Sequence, residues 1–496
     1  MKAGKVLHIV LAVLIVLFMC GHFLLNDVQK QQESARHIER IISSTLGTNA
    51  SAGRVQFVYP FGITIDSLTV YDLKDDTLAY VSSITLRFKP LELLKRRLSI
   101  TSTVVKNPDI RLNADSLGAV PNYAFLSELS GNSQGSMSLR ANSILIRGGS
   151  VSYDILDAPM TDSLFNPSHI AVDDLSASVS LKAMESDSLA FIIRKLTFSE
   201  QSGFKLSKTK GAVSIGADST IIRDLRLSTP NSDFIADRIS VSSSRNGIPA
   251  FAASFSASVT GRDFMAFEPR LSGMTDRIDL SFSGHGDNEG IEIEALSLQS
   301  ENREMDIAGK GTVVLDGRKI SGVTNAGAYG NLNAGFTAWA EDRLGSFGLS
   351  VPKVLRSLGQ TSFDVGCNWL GKDLESSATV ISGVGTAQYS ISGTDGRYKG
   401  AVRGRSIRLR AITGNRDLGN CNFDLHSDMA LNSEGLCGTF NGTVGDIVYK
   451  KYAYENVHVN GSFKPGFISS DLKFSDRNGA LALDASISNG NVRNLT

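Results

Sequence analysis

In segment after segment from Arg54 onward, apolar residues alternate one-for-one with polar ones, and that period leaves few folds open. Val55 and Phe57, Ile63 and Ile65, Leu68 and Val70, Ile144 and Ile146, Val179 and Leu181, and Val457 and Val459 all follow it. A period of two sends successive side chains to opposite faces of an extended chain, so these segments read as β-strands with one apolar and one wet face. Only 11 prolines occur in 496 residues, which leaves nearly every backbone N–H free to join a ladder. The 47 glycines suit many tight turns.

The alternation is also repetitive. RDLRLSTPNSDFIADRISVS, EALSLQSENREMDIAGKGTVVL and SSDLKFSDRNGALALDASISNG each read strand, polar turn, strand. Chained hairpins of this kind predict a mostly β fold: a long, coiled, open antiparallel or mixed sheet, groove-like rather than closed. About 35 strands at ~4.8 Å spacing would extend such a sheet to about 170 Å. Helix is expected only in short pieces, near Leu91 to Arg97, Asn122 to Leu129 and Pro352 to Leu358, and before the sheet begins.

Before the sheet lie two helical signals. Val6 to Leu25, VLHIVLAVLIVLFMCGHFLL, carries no Lys, Arg, Asp or Glu; as a helix it would be about 30 Å long, one bilayer core. Lys2 and Lys5 precede it and Asp27 follows, which predicts an uncleaved single-pass anchor with the N-terminus cytoplasmic and the bulk of the chain across the inner membrane. Val28, Ala35, Ile38, Ile42 and Leu46 then recur at helical spacing up to Gly47, a C-terminal stop. The expected organisation is residues 1–25 transmembrane, 26–47 amphipathic helix, 48–120 a first β-region, 121–140 a linker, and 141–496 the repetitive β-groove.

The charge balance excludes some function classes. Fifty basic and fifty acidic residues give a formal net charge of zero, so no global basic surplus serves nucleic acid. Of four cysteines, Cys20 falls in the apolar run. A hairpin turn at Asn432 to Gly435 would place Cys437 opposite Met429 or Ala430, too far from Cys421 for a disulfide. His426 between them is a weak metal signal, and no histidine has a partner at i+4. Gly131-Asn132-Ser133-Gln134-Gly135 matches a nucleophile elbow, but in helix-to-strand order, the reverse of the context required. Gly309-Lys310-Gly311 lacks the rest of a dinucleotide fingerprint. No constellation supports an enzyme, a cofactor or a metal site.

The order of features in the first 115 residues is similar to that of the AsmA-like and TamB families of Gram-negative envelope proteins. After the anchor and the helix ending in Leu46-Gly47 come RVQFVYPFGITIDSLTVYDLKDDTLAYVSSITLRFKPLELLKRRLSI and VVKNPDIRLNADSLG, with Pro121-Asn122 beyond. The resemblance implies an inner-membrane-anchored periplasmic protein whose groove carries phospholipid acyl chains toward the outer membrane. A TamB-like factor in outer-membrane protein assembly is the alternative. An outer-membrane barrel protein is an implied partner, although TamB relatives are much longer than this chain, which stops at Leu495-Thr496. Hydrophobic alternation nominates the lining: Ile84, Leu86 and Phe88; Leu225 and Leu227; Leu280 and Phe282; Ile291 and Ile293; Leu472 and Phe474; Leu481 and Leu483. The bland rival is that the same residues form the dry cores of packed β-domains.

Overall fold

The computed structural model describes residues 27–496 except positions 60, 90–98, 129–139, 142, 162–163, 186–187, 243–248, 318, 349, 352, 434, 477–478, 489–490 and 496. The protein is mostly β, 65% strand with few helices, as the alternation predicts. The expected anchor over 1–25, the helical piece near Leu91 to Arg97 and the 131–135 motif lie outside the described residues. Among the described residues no helix is long and apolar enough to cross a membrane. The chain divides into two compact units: residues 1–237 with 262–271, and residues 238–261 with 272–496.

The first unit opens with helix α1 (Val28–Leu46), ended by Gly47 in the left-handed conformation at φ 71°. Its strands are β1 (Ala50–Ser51), β2 (Arg54–Val58), β3 (Gly62–Tyr71), β4 (Thr77–Phe88), β5 (Ser99–Ala114), β6 (Arg140–Ala141), β7 (Ile144–Ile155), β8 (His169–Glu185), β9 (Ser188–Glu200), β10 (Lys205–Leu206), β11 (Lys208–Ile215) and β12 (Ser219–Ser228). A short helix, α2 (Phe125–Glu128), stands where the sequence predicted a longer one. The pairing runs β2, β3, β4, β5, β7, β8, β9, β11, β12. It is antiparallel except where β5 runs parallel to β6 and β7, so the sheet is mixed.

α1 covers the first edge. Ala35, with Ile38 and Ile42, packs on Val55, Ile65 and Leu68. Glu39 Oε1 accepts the N–H of Ala52 at 2.8 Å and Ser43 Oγ that of Ala50 at 3.0 Å. Edge donors that could recruit a foreign strand are thereby satisfied within the chain.

β13 (Asp233–Ser242) contains the unit boundary. The second unit continues with β14 (Phe251–Val259), β15 (Ile278–Gly286), β16 (Gly290–Ser300), β17 (Met305–Asp316), β18 (Lys319–Leu332), β19 (Thr361–Leu370), β20 (Asp373–Ser382), β21 (Gly385–Thr394), β22 (Arg397–Arg408), β23 (Asn420–Asn432) and β24 (Gly435–Gly445). A two-stranded hairpin, β25 (Ile447–Tyr449) and β26 (Tyr452–Tyr454), precedes β27 (Val457–Lys464), β28 (Phe467–Asp476), β29 (Gly479–Ser488) and β30 (Asn491–Leu495). β14 to β24 and β27 to β30 pair antiparallel in chain order. Tight turns join one set of strand ends; Asp395 (φ 51°) and Gly396 (φ 78°) form one, the left-handed pair a two-residue hairpin loop requires. Longer connections join several of the other ends, at residues 260–277, 333–360, 409–419 and 446–456.

Two of those connections correct the expectation about helix. α3 (Phe336–Leu344) and α5 (Leu409–Thr413) were not foreseen, whereas α4 (Lys353–Leu358) falls where expected. α3 is too short to show an apolar stripe, and tertiary contacts fix it. Trp339 Nε1 and Arg343 both donate to Asp276 Oδ2, at 2.9 and 2.8 Å, and Ala340 is 1% exposed. The expected count of about 35 strands also fell; the described residues form thirty, because single strands such as β8 run to 17 residues.

Left-handed residues with φ near 50° sit mid-strand at Ser67, Asn107, Asp174, Asp224 and Asn325, and at the last three the ladder register shifts in a β-bulge. Beside Asn107 in the parallel register lies Gly148 (φ 67°), where a Cβ would come within 2.7 Å of Asn107 Oδ1, so only glycine fits. At Asn325 the freed N–H donates to Asn368 Oδ1 at 2.6 Å, which settles the polar account of the bulge.

Candidate functional site

The candidate site is the apolar face, and the strand register shows how it is assembled. Directly opposed residues share a face. In the second unit, one row runs Phe255, Phe282, Leu296, Gly309, Ala328, Val365, Ala378, Tyr389, Val402, Leu425, Gly442, Val459, Leu472, Leu483, one residue per strand and each opposite the next. A second row on the same face runs Phe251, Gly286, Ile291, Val313, Val323, Trp369, Leu374, Gly393, Tyr398, Met429, Gly438, Phe463, Ile468. Neither row contains a charged residue. The opposite face is polar: Gln388, Arg403, Asp424, Thr443 and His458 oppose one another, as do Ser392, Lys399, Asp428, Thr439, Ser462 and Ser469. Tyr329 and Ile381 are large exceptions on that side.

Glycines on the apolar face lie under aromatic rings of the next strand. A Cβ on Gly461 would land on the Phe440 ring, one on Gly404 on Phe423, and one on Gly286 at 2.9 Å from Phe251. The rings therefore lie across the sheet rather than standing from it, an arrangement that lowers the relief of the face.

That face is not sealed. Its large side chains vary in exposure: Tyr398 and Val459 are buried at 8% and 7%, whereas Leu296 is 36%, Trp369 37%, Val402 44% and Leu481 53% exposed. Ser300, Ala340 and Val384, near the strand ends that carry the longer connections, are the most deeply buried of this unit's described residues, and Ala257, Ala378, Tyr398 and Val459 are buried within the sheet. Among the described residues of this unit, Met305, Val384, Tyr398, Ile407 and Val459 are the buried large apolar side chains.

In the first unit the equivalent rows are Val55, Ile65, Ile84, Val105, Ile146, Ala177, Leu196 and Phe57, Ile63, Leu86, Thr103, Ile144, Val179, Ile193, Gly211. Here one end is closed, because Ile63 and Ile84 pack against the cluster beneath α1.

The nominated residues fall on these faces. Ile84, Leu86 and Phe88 alternate along β4, with Phe88 opposite buried Ile100 across a bulge. Leu227 opposes Thr209, and Leu225 lies against Gly211. Leu280, Phe282, Ile291 and Ile293 share the apolar face of β15 and β16, and Leu472 and Phe474 oppose Leu483 and Leu481. Ile84 is covered by the helix, and Phe474 by the Tyr454 ring, 4.9 Å away and perpendicular. Ile391, Val402, Tyr389 and Trp369 were missed because their strands mix Ser, Thr and Gly with single apolar residues.

Two polar clusters in the first unit fix loops. The Asp263 carboxylate accepts from Thr229 Oγ1, from Asn231 N–H at 2.9 Å and Nδ2 at 2.7 Å, and from Ser232 Oγ at 2.8 Å. Burial pushes its pKa upward, but these hydrogen bonds outweigh that and hold it below the usual carboxylate range. Buried His169 places Nδ1 3.1 Å from Asp154 Oδ1 and Nε2 3.0 Å from the Ala158 carbonyl. Both partners are acceptors, and the Asp154 bond foremost, then the Ala158 bond, raise its pKa. Cys437 opposes Ala430, as the turn predicted, and Cys367, Cys421 and Cys437 are all free thiols; burial raises the Cys421 pKa. Gly309 and Gly311 are mid-strand in β17. No group of three or more His, Cys, Asp or Glu suited to a metal occurs among the described residues. No family model, no curated protein and no solved structure matches the chain.

Proposed function

We propose that this protein binds the acyl chains of phospholipids on its apolar sheet face and serves as a lipid conduit of the Gram-negative envelope, tethered to the inner membrane by residues 1–25. The observation that carries the reading is the row from Phe255 to Leu483: apolar or glycine at every strand, and half-exposed at several. A stable folded protein that leaves so continuous an apolar strip wet has a reason to do so. Acyl chains are the natural occupant, since each buried CH2 contributes about 0.8 kcal/mol and needs no directional partner. The recurrent bulges and the twist of the strands would coil the sheet so that this strip becomes the inside of a groove. The AsmA-like order of the first 115 residues agrees with this reading.

The test uses the alternation itself. In the full chain, a photoreactive amino acid at Val402 should crosslink phospholipid in cells, and the same group at Ala401, one residue away on the polar face, should not. Equal lipid crosslinking at both positions, or none at Val402, would refute the reading.

A further inference from the structure

The polar face of the first unit carries a charge pattern that its own folding does not explain. Lys210 stands directly opposite Arg226, with Lys208 opposite Ser228 and Arg223 opposite Ala212. On the adjoining strand, Gly211 opposes Ile193, so Arg194 and Lys195 follow immediately beside Lys210. All six side chains are exposed. None forms an ion pair with a described residue. The acids near them are Asp224 at the β12 bulge, Glu200 at the end of β9, whose carboxylate is turned onto Ser202, and Asp233 and Asp237 on β13 beyond β12. The array stops at β8, where the residue opposite Lys195 is the neutral Ser178; a separate cation pair, Lys106 aligned with Arg147, stands beyond it.

Like charges facing each other across a ladder destabilise it, and a chain with equal numbers of acidic and basic residues could have interleaved acids here as it does elsewhere; Arg403 opposes Asp424 in the second unit. We infer that this basic face is a docking surface for an anionic phospholipid bilayer. Three observations select that occupant. The cations repeat about every 4.8 Å across strands and about 6.8 Å along them, a two-dimensional array. Its other residues, such as Ala212, Ser214 and Ile192, are small or aliphatic, and no aromatic group stands among them on which a nucleic-acid base could stack. Ile235 beside it on β13, 41% exposed, is a single apolar side chain rather than the cluster that centres protein interfaces. What it fits is a plane of phosphates, where each Lys or Arg strengthens binding roughly fivefold. The surface lies on the side of the sheet opposite the apolar rows, so it can hold a membrane while the other face is occupied.

The test uses the full chain, held by its N-terminal apolar segment in a nanodisc of phosphatidylcholine, and asks whether it captures added vesicles. Vesicles containing one-third phosphatidylglycerol should be captured at low salt, those of phosphatidylcholine alone should not, and capture should fade above about 0.3 M salt as the charges are screened. Combining Lys208→Gln, Lys210→Gln, Arg223→Gln and Arg226→Gln should weaken capture by several hundredfold, whereas Lys208→Arg with Lys210→Arg should preserve it. A second measurement needs no variant: amine acylation of Lys208 and Lys210 in the unaltered protein should drop on anionic vesicles and not on neutral ones. Unchanged capture by the Gln variant, unchanged acylation, or binding to heparin or an acidic protein without binding to vesicles would each overturn the inference. Because the readout is headgroup charge, its failure would leave the acyl-chain reading untouched, and crosslinking at Val402 would fail separately.

Discussion

Val402 and Val459 stand in the same apolar row, three ladders apart, yet differ sharply in exposure: 44% against 7%. Replacing each by Lys separates an open face from a closed core. Fully burying a valine side chain contributes about 1.5–3 kcal/mol, so at Val402, a little over half buried, about 1 kcal/mol of apolar contact is at stake. A lysine there can lay its stem along Tyr389 and Leu425 and carry its ammonium into water, so Val402→Lys should cost about 1 kcal/mol. At Val459 the ammonium has no such exit; an unpaired buried charge adds several kcal/mol to the lost contact, and Val459→Lys should cost at least about 3 kcal/mol. Denaturant unfolding of the full chain in detergent reads both, with circular dichroism as the probe. If Val402→Lys is as damaging as Val459→Lys, the strip is sealed in the working protein and the open-face argument collapses. If Val402→Lys folds, it should also lose phospholipid that copurifies with the unaltered protein, because a fixed charge now lies in the path of the acyl chains.

Three further outcomes follow from the geometry. Gly461→Ala would drive a methyl group into the Phe440 ring and the Ser469 carbonyl, whereas Gly445 has nothing within 4 Å of an added Cβ; thermal unfolding should show a loss of about 1–3 kcal/mol for Gly461→Ala and almost none for Gly445→Ala. Asp263→Ala leaves the hydroxyls of Thr229 and Ser232 and both donors of Asn231 without their acceptor, so it should cost about 2 kcal/mol and speed hydrogen exchange in the turn at residues 229–232. The hydrogen bond to Asp154 foremost raises the pKa of His169 above its ordinary 6.5, so its contribution is complete below that value and lost as pH rises through the higher folded-state pKa. Stability measured by denaturant should therefore decline with pH just above 6.5, and His169→Gln should remove that part of the decline; an unchanged profile in the variant would show that another group is responsible.

What could be read from the sequence, and what could not, follows from where the determining contacts lie. Alternation is a local property, so the strands around Ile63, Leu280 and Leu472 and the face their side chains share were legible, as was the stop at Gly47. The cross-strand position of Cys437 was legible too, because a two-residue turn fixes register by counting. β19 to β22 were harder. DVGCNWL, ATVIS, TAQYSIS and YKGAVRG hold so many Gly, Ser and Thr residues that their apolar members look incidental until register lines them up as Trp369, Ala378, Tyr389 and Val402. α3 was invisible for a different reason: Asp276, which fixes it, lies 63 and 67 residues from Trp339 and Arg343.

The bulges are the most informative of the hidden features. Along β16, Ile291 and Ile293 occupy odd positions and Leu296 and Leu298 even ones, a pattern that strict alternation would place on opposite faces. Between them the register slips at Glu294 and Ala295, so that Ile293 opposes Gly284 while Leu296 opposes Phe282, and all four side chains point the same way. β12 does the same at Asp224, bringing Ile222, Leu225 and Leu227 onto one face. An extra residue in a strand ordinarily inverts everything beyond it. Here the hydrophobic pattern shifts by one at the same place as the backbone, and the two apolar rows cross β16 without a break. A face kept continuous through its own irregularities, at strand after strand, implies that continuity itself is what the sequence maintains, which a set of separate closed cores would not require.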